Sequence, residues 1–232
     1  MLFEELMPMN SYSQGSVRNQ VVAKISDATV RRLSKYYRTL QNAMANNKGT
    51  ISSEEIARIN GVTAAQVRKD LSFFGAFGRR GLGYHVGDLH RNISHILGLH
   101  RTWNVCIVGA GNIGRALAHF KQFQIQGFHI KLVMDSDSAK WGQTIDSLTI
   151  QRFDDCKELI RQEKIKIAIV AVPASAAQRV VDKLVEAGIK AILNFAPVSI
   201  FVPAGVTVRN ENMAIEIEAL SYALTNKSRS RT

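Results

Sequence analysis

Val105-Cys106-Ile107-Val108-Gly109-Ala110-Gly111-Asn112-Ile113-Gly114 decides the fold of the larger part of this chain. Four apolar residues read as a buried strand. The glycines that follow have G-x-G-x-x-G spacing and open a helix, the context in which the pattern is a dinucleotide fingerprint rather than a coincidence. Gly109 permits the tight turn, Gly111 lets backbone approach a pyrophosphate, and Gly114 lets the helix pack closely. Asn112 and Ile113 belong to the first helical turn, whose N-terminus faces the phosphates. An acidic residue is then needed at the end of the second strand to hold the adenosine ribose. Asp135 follows Lys131-Leu132-Val133-Met134, twenty-one residues after Gly114. Asp137 comes next but one, and positions 136–138 hold no Arg or Lys, which favours NAD(H) over NADP(H).

Downstream, strand-like segments alternate with helix-sized ones. Val105 to Val108, Ile130 to Met134, Ile165 to Val172, Ala191 to Phe195 and Val206 to Val208 are short apolar runs, as expected of a parallel sheet covered on both faces. Val172-Pro173 and Asn194-Phe195-Ala196-Pro197 stand at strand ends, where a nicotinamide would lie. Neither segment offers a His or Lys as acid or base, and residues 103–225 have no room for a substrate domain. His119 and Lys121 are expected on the helix surface. A dinucleotide held without chemistry is a ligand being sensed. A small oxidoreductase with a basic accessory domain, and a constitutive DNA-binding protein with a vestigial cofactor domain, are the alternative readings.

Upstream the pattern is helical and basic. Val30, Leu33, Tyr37, Leu40 and Met44 recur at steps of three and four after Asp27, and predict one amphipathic helix ending near Asn46 to Gly49. Ser52 with Glu55, and Thr63 with Gln66, have capping-box spacing and predict two short helices with a turn at Asn60-Gly61. This is helix-turn-helix spacing. Gly78 to Tyr84, punctuated by glycine, predicts a β-ribbon wing. Asp88 is expected to cap a connector helix that buries Leu89 and Ile93.

Of 232 residues, 30 are Lys or Arg and 19 are Asp or Glu, a net charge of +11. Between Val17 and His85 twelve basic residues face four acidic ones, so the positive field lies at the front, as suits a polyanionic partner. Val67, Leu71 and Phe74 fix the buried face of the third helix, Thr63 to Phe74. Gln66, Arg68, Lys69 and Ser72 then face the major groove: Arg forks to guanine, Gln pairs with adenine N6/N7, and Lys takes phosphate or guanine. Thr63 and Tyr84 flank this surface. Arg79 and Arg80 suit the minor groove, and Arg31 and Arg32 suit backbone phosphates.

The strings Val67-Arg68-Lys69-Asp70-Leu71-Ser72-Phe73-Phe74-Gly75, Gly78 to Tyr84, the glycine fingerprint, Ala187 to Pro197 and Ala219-Leu220-Ser221-Tyr222 resemble the redox-sensing repressor family Rex, over about Ile25 to Leu224. The resemblance implies a homodimeric bacterial repressor that binds a palindromic DNA operator and releases it when NADH occupies the dinucleotide domains. It also implies a last helix exchanged between subunits. Met213, Ile217, Leu220 and Leu224 form a matching stripe, for which burial within its own subunit is the alternative. The chain departs from the family pattern at Phe120, where a Tyr is usual, and at Asn212, where an Asp is usual. Both halves of a contact thought to change with redox state are thereby altered.

The expected architecture is α/β: a winged helix-turn-helix domain over 17–86, a connector helix over 87–102, and a Rossmann-like doubly wound domain over 103–225 with the dimerisation helix. No apolar run is long enough to span a membrane. The opening MLFEELMPMN lacks a basic leader, which suggests a cytoplasmic protein. Two cysteines, Cys106 and Cys156, and six scattered histidines do not suggest a metal site. The polar stretches 11–20 and 226–232 are expected to be mobile.

Overall fold

The computed structural model describes residues 25–75, 77–78 and 82–227. The described chain divides after Leu97 into two compact units. Arg79 and Arg80, the polar stretch 11–20 and the last five residues lie outside the described residues.

The first unit runs α1 (Asp27–Ala45), β1 (Thr50–Ile51), α2 (Ser53–Asn60), α3 (Ala64–Ser72), β2 (Tyr84–His85) and α4 (Val86–Ile96). β1 and β2 pair antiparallel, with Ile51 opposite Tyr84. Together with α2 and α3 they make a winged helix-turn-helix. Both expected caps form: Ser52 Oγ accepts from the Glu55 N–H and Thr63 Oγ1 from the Gln66 N–H. Gly61 closes α2 at φ +67°, a left-handed cap that glycine adopts without steric cost.

Ser26 caps α1, accepting from the Thr29 N–H. Two expectations change here. The stripe buried by α1 is Leu33, Tyr36, Leu40 and Ala43, while Val30 and Met44 are exposed and Tyr37 is half-buried. The stripe rotates because Tyr36 carries its hydroxyl to a buried carboxylate, Asp70, and leaves Tyr37 to stack on His90 at 4.5 Å. Finally, His85 rather than Asp88 caps α4, and α4 is not a free connector. Its Val86, Leu89 and Ile93 belong to the same core as Leu33, Leu40, Ile56 and Val67. Burial of each such aliphatic side chain contributes about 1.5–3 kcal/mol.

The second unit is a seven-stranded sheet in the order β5-β6-β4-β3-β7-β8-β9. Its strands are β3 (Trp103–Val108), β4 (Phe128–Asp135), β5 (Thr144–Ile145), β6 (Leu148–Arg152), β7 (Ile167–Val170), β8 (Ala191–Asn194) and β9 (Thr207–Asn210). All pair in parallel except β5 with β6. The β5–β6 hairpin was not expected, since β5 has two residues, too few for any period to register. Alternate strand residues point to opposite faces. Cys106, Val108, Met134 and Val170 pack with α7 (Cys156–Gln162) and α8 (Ala174–Glu186). Val105, Ile107 and Val133 pack on the other face, toward α5 (Asn112–Ala118) and α6 (Gln122–Ile125). Both cysteines lie in the first of these clusters, and burial pushes the Cys106 thiol up to about 12, so it is an inert apolar filler.

The last helix, α9 (Met213–Lys227), leaves Met213, Ile217, Leu220 and Leu224 between 61% and 74% exposed. Its apolar stripe is not covered by the other described residues. Among the described residues no helix is long and apolar enough to cross a membrane, and no group of three or more His, Cys, Asp or Glu is placed to hold a metal ion.

Candidate functional site

In the sheet order, the direction of winding reverses between β3 and β7, and the carboxyl ends of these strands open a crevice. A cleft of about 340 Å³ lies there, lined among others by Gly109, Gly111, Asp135, Lys140, Val172 and Pro173. Gly109 has φ +102°, and a Cβ on it would stand 2.4 Å from the Ala171 carbonyl oxygen. Only glycine lets β3 turn this close to the end of β7. A Cβ on Gly114 would meet the Gly109 oxygen at 1.8 Å, so helix and turn pack without any side chain between them. Gly111 is different: a Cβ there meets nothing within 4 Å, and open space lies above the backbone at the start of α5. Asn112 and Ile113 follow, both exposed. The geometry thus shows the tight turn at Gly109 and the close helix packing at Gly114 that the spacing predicts.

Asp135 closes β4 at the cleft mouth. Oδ2 accepts from the Ala110 N–H at 2.7 Å and from Lys140 Nζ at 3.0 Å, and Oδ1 accepts from the Asp137 N–H at 2.8 Å. Burial pushes this carboxyl up, but those donors outweigh it, and the group sits below the usual carboxylate range. It is ionised at neutral pH, with one acceptor position left on Oδ1 for a hydroxyl.

Lys140 was missed from the sequence. Positions 136–138 hold no cation, yet Asp137 Oδ1 accepts from the Ala139 N–H and starts a 3₁₀ turn over Ser138–Lys140, which brings the ammonium back onto Asp135. This end of the cleft is therefore partly neutralised rather than purely acidic. The only available signal was an Asx turn, with a lysine three residues after Asp137. Trp141 braces the same corner, donating its indole N–H to the Asp135 carbonyl at 2.9 Å beneath the Arg152 guanidinium.

Asn194, expected to touch cofactor, is fully buried and committed elsewhere. Its Nδ2 donates to the Ala196 and Val198 carbonyls and to Asn210 Oδ1, and its Oδ1 accepts from the Ala196 N–H. It ties the loop carrying Phe195, Ala196 and Pro197 to β9. These four residues do not line the cleft. Phe120 lies beyond the end of α5 in the turn before α6, half-exposed, with its ring edge-on to Phe123. His119 pairs with Asp146 at 2.9 Å on the surface. Asn212 Oδ1 accepts from the Ala214 N–H at the start of α9.

In the first unit, α3 turns Val67 and Leu71 inward and leaves Arg68, Lys69 and Ser72 exposed, with Thr63 exposed at its cap and Gln66 half-buried. Arg68 Nη1 donates to Ser53 Oγ at 2.9 Å and to Glu54 Oε1 at 3.2 Å, which lays the guanidinium along the start of α2. Arg31 is exposed on α1. Two expected DNA contacts are placed elsewhere. Arg32 turns inward and forks onto Asp70, 2.6 Å from Nε and 2.7 Å from Nη2. Tyr84 is a core residue of the β1–β2 corner, 8% exposed and packed against Gly78. In the sequence Asp70 stands only as one of four acidic residues in the charge count over Val17 to His85. Nothing in a helical period distinguishes a buried carboxylate whose partner lies thirty-eight residues away.

Comparison with known proteins agrees with both halves. Residues 24–72 match the family model described as putative DNA-binding protein N-terminus, and residues 100–198 match the CoA binding domain. The redox-sensing transcriptional repressor Rex of Desulfitobacterium hafniense is 47% identical over 199 residues, covering 86% of this chain and 95% of that protein. The chain belongs to the Rex family. Rex of Carboxydothermus hydrogenoformans is 46% identical over 86% of the chain and 96% of its own length. Among solved structures, the Rex-family repressor RSP in complex with β-NAD+ and operator DNA superposes with a TM-score of 0.85 at 38% identity, covering 90% of this chain and 96% of that one. RSP in complex with β-NADH gives 0.82 at 36% identity, covering 90% and 98%. The Rex framework thus spans the winged helix-turn-helix and the Rossmann-like sheet alike.

Proposed function

We propose that this protein is a transcriptional repressor that binds a palindromic DNA operator through α3 and the wing and releases it when NADH fills the cleft between β3 and β7. The observation that carries the reading is one chain holding two unlike sites. One is a cleft with glycine backbone open at one end and an ionised Asp135 at the other. The other is a helix-turn-helix with Arg68 and Lys69 exposed. RSP, a relative of the same family, has been crystallised with β-NADH and with β-NAD+ and operator DNA. In the cleft, Gly111 takes the pyrophosphate, Asp135 holds the adenosine ribose, and Val172 and Pro173 face the nicotinamide half. Among the described lining residues the ionisable groups, Asp135, Asp137 and Lys140, all cluster at the ribose end. That placement supports sensing over hydride chemistry, which needs an acid or base beside the nicotinamide.

The exposed stripe of α9 supports a homodimer in which this helix packs on the partner subunit. Two-fold symmetry then sets two copies of α3 against half-sites about 34–36 Å apart. NADH acts by binding better to a dimer geometry that no longer fits that spacing. We place this activity in the cytoplasm, where the DNA and the dinucleotide pool of a bacterial cell meet.

Fluorescence anisotropy of an operator duplex at fixed salt, across NADH/NAD+ ratios, tests the reading. Release should rise with the NADH fraction. Binding indifferent to both nucleotides would instead identify a constitutive DNA-binding protein, and NADH turnover above about 1 s⁻¹ an oxidoreductase.

A further inference from the structure

Asp70 lies on the inner side of α3 with 0% exposure, a place where an unpartnered carboxylate is strongly disfavoured. Three side chains keep it charged. Arg32 reaches both oxygens from α1, the Tyr36 hydroxyl donates to Oδ2 at 3.0 Å, and Gln66 Nε2 donates to Oδ1 at 2.8 Å. The last of these bonds fixes more than a distance. An ionised carboxylate only accepts, so the end of the Gln66 amide that meets Asp70 is the nitrogen. Oε1 takes no donor from the described residues, and the side chain is half-buried at the edge of the exposed face that carries Lys69.

We propose that Asp70 is a positioning residue for sequence reading: by holding one N–H of Nε2 it fixes the turn of the Gln66 amide, so that Oε1 faces the base edge as an acceptor. The proposal rests on the DNA-binding reading above and narrows it. A glutamine free to turn its amide can present either end to a base. Held by Asp70 through one N–H, Gln66 presents Oε1 to an exocyclic amino group, adenine N6 or cytosine N4, and keeps a second N–H that adenine N7 can take. Arg32 completes the device. Its two parallel bonds hold the carboxylate plane still, so the acceptor offered to Gln66 does not swing.

The test begins with a duplex selected by the full-length protein from a randomised pool. Each adenine and cytosine of the half-site is then replaced by an analogue lacking the amino group. At one position, loss of the amino group should weaken binding about tenfold. Gln66→Leu should erase the amino-group penalty at that position and keep the penalties elsewhere. Asp70→Asn offers one oxygen where Arg32 and Gln66 need two, and should remove the same preference while Arg68- and Lys69-dependent preferences persist. Two results would overturn the proposal: a base pattern unchanged in Asp70→Asn, or a uniform loss across all duplexes in Gln66→Leu. Failure to enrich any sequence would overturn the DNA-binding reading itself, and this proposal with it.

Discussion

Replacing Arg32 with alanine separates the role its sequence position suggests from the one its geometry supports. A surface arginine on α1 beside Arg31 reads as a phosphate contact. In the fold its guanidinium is spent on Asp70, with Nη2 also donating to Thr29 Oγ1 at 3.1 Å. Removing one partner of a buried ion pair costs about 3–5 kcal/mol, because the other charge is left uncompensated. Two features reduce the loss. The Arg32 side chain is 23% exposed, so water enters the space it vacates, and Tyr36 and Gln66 still donate to Asp70. The expected destabilisation is therefore about 2–3 kcal/mol. For a domain of 60–100 residues that is a fall in Tm of roughly 10–20 °C. Denaturant titration followed by far-UV circular dichroism reads it, since Trp103 and Trp141 both lie in the second unit and do not report on the first. DNA binding of the folded variant supplies the second readout. A lost phosphate contact lowers the slope of log K against log salt by about 0.9, whereas loss of an internal brace leaves the slope unchanged. A variant as stable as the parent, with a slope reduced by one contact, would refute the structural role of Arg32.

Gly114→Ala places a methyl group against the Gly109 carbonyl, which is backbone and cannot rotate away; we expect at least about 3 kcal/mol of destabilisation by tryptophan fluorescence, and a loss under about 0.5 kcal/mol would mean that α5 packs less closely than described. Acid sensitivity follows from Asp70 and Asp135: burial pushes both carboxyls up, but their donors more than compensate, and each titrates below its unfolded value near pH 3.9. The stability they contribute is complete above that value and is lost as pH falls through the lower folded one, so denaturation midpoints should be flat with respect to these groups from pH 5 to 7 and drop below about pH 4. Loss of stability between pH 5 and 7 that Asp70→Asn abolishes would contradict this assignment. At the two positions that depart from the family pattern, Phe120→Tyr with Asn212→Asp should sharpen the preference for NADH over NAD+ by about fivefold or more, the lower end of ordinary coupling. Aspartate retains the cap that Asn212 gives the Ala214 N–H, so isothermal titration isolates the charge and hydroxyl, and an affinity ratio equal to the parent's excludes these two positions from the switch.

The elements that could be read from the sequence are those governed by local rules. The two capping boxes, the turn at Gly61, the buried strands and the G-x-G-x-x-G turn depend on residues within a few positions of one another. For the same reason Gly109, Gly111 and Asp135, which line the cleft, are legible in the sequence as one group. What the chain does not display is which side chain will answer a charge from a distant element. Arg32 and Asp70 are thirty-eight residues apart, and only the packing of α1 against α3 turns a presumed phosphate contact into a brace and gives Gln66 a fixed orientation. Asn194 looks like a ligand contact until the loop to Val198 consumes its amide, and Tyr84 looks like a groove residue until β2 pairs with β1. Sequence period says which face is apolar, and the burial of a polar group is settled by partners the fold brings within hydrogen-bonding distance. The fingerprint, the caps and the charge distribution were thus determined by sequence alone, and the division of polar residues between recognition and support was decided by tertiary structure, because an unpaired polar group is tolerated in water and not in a core.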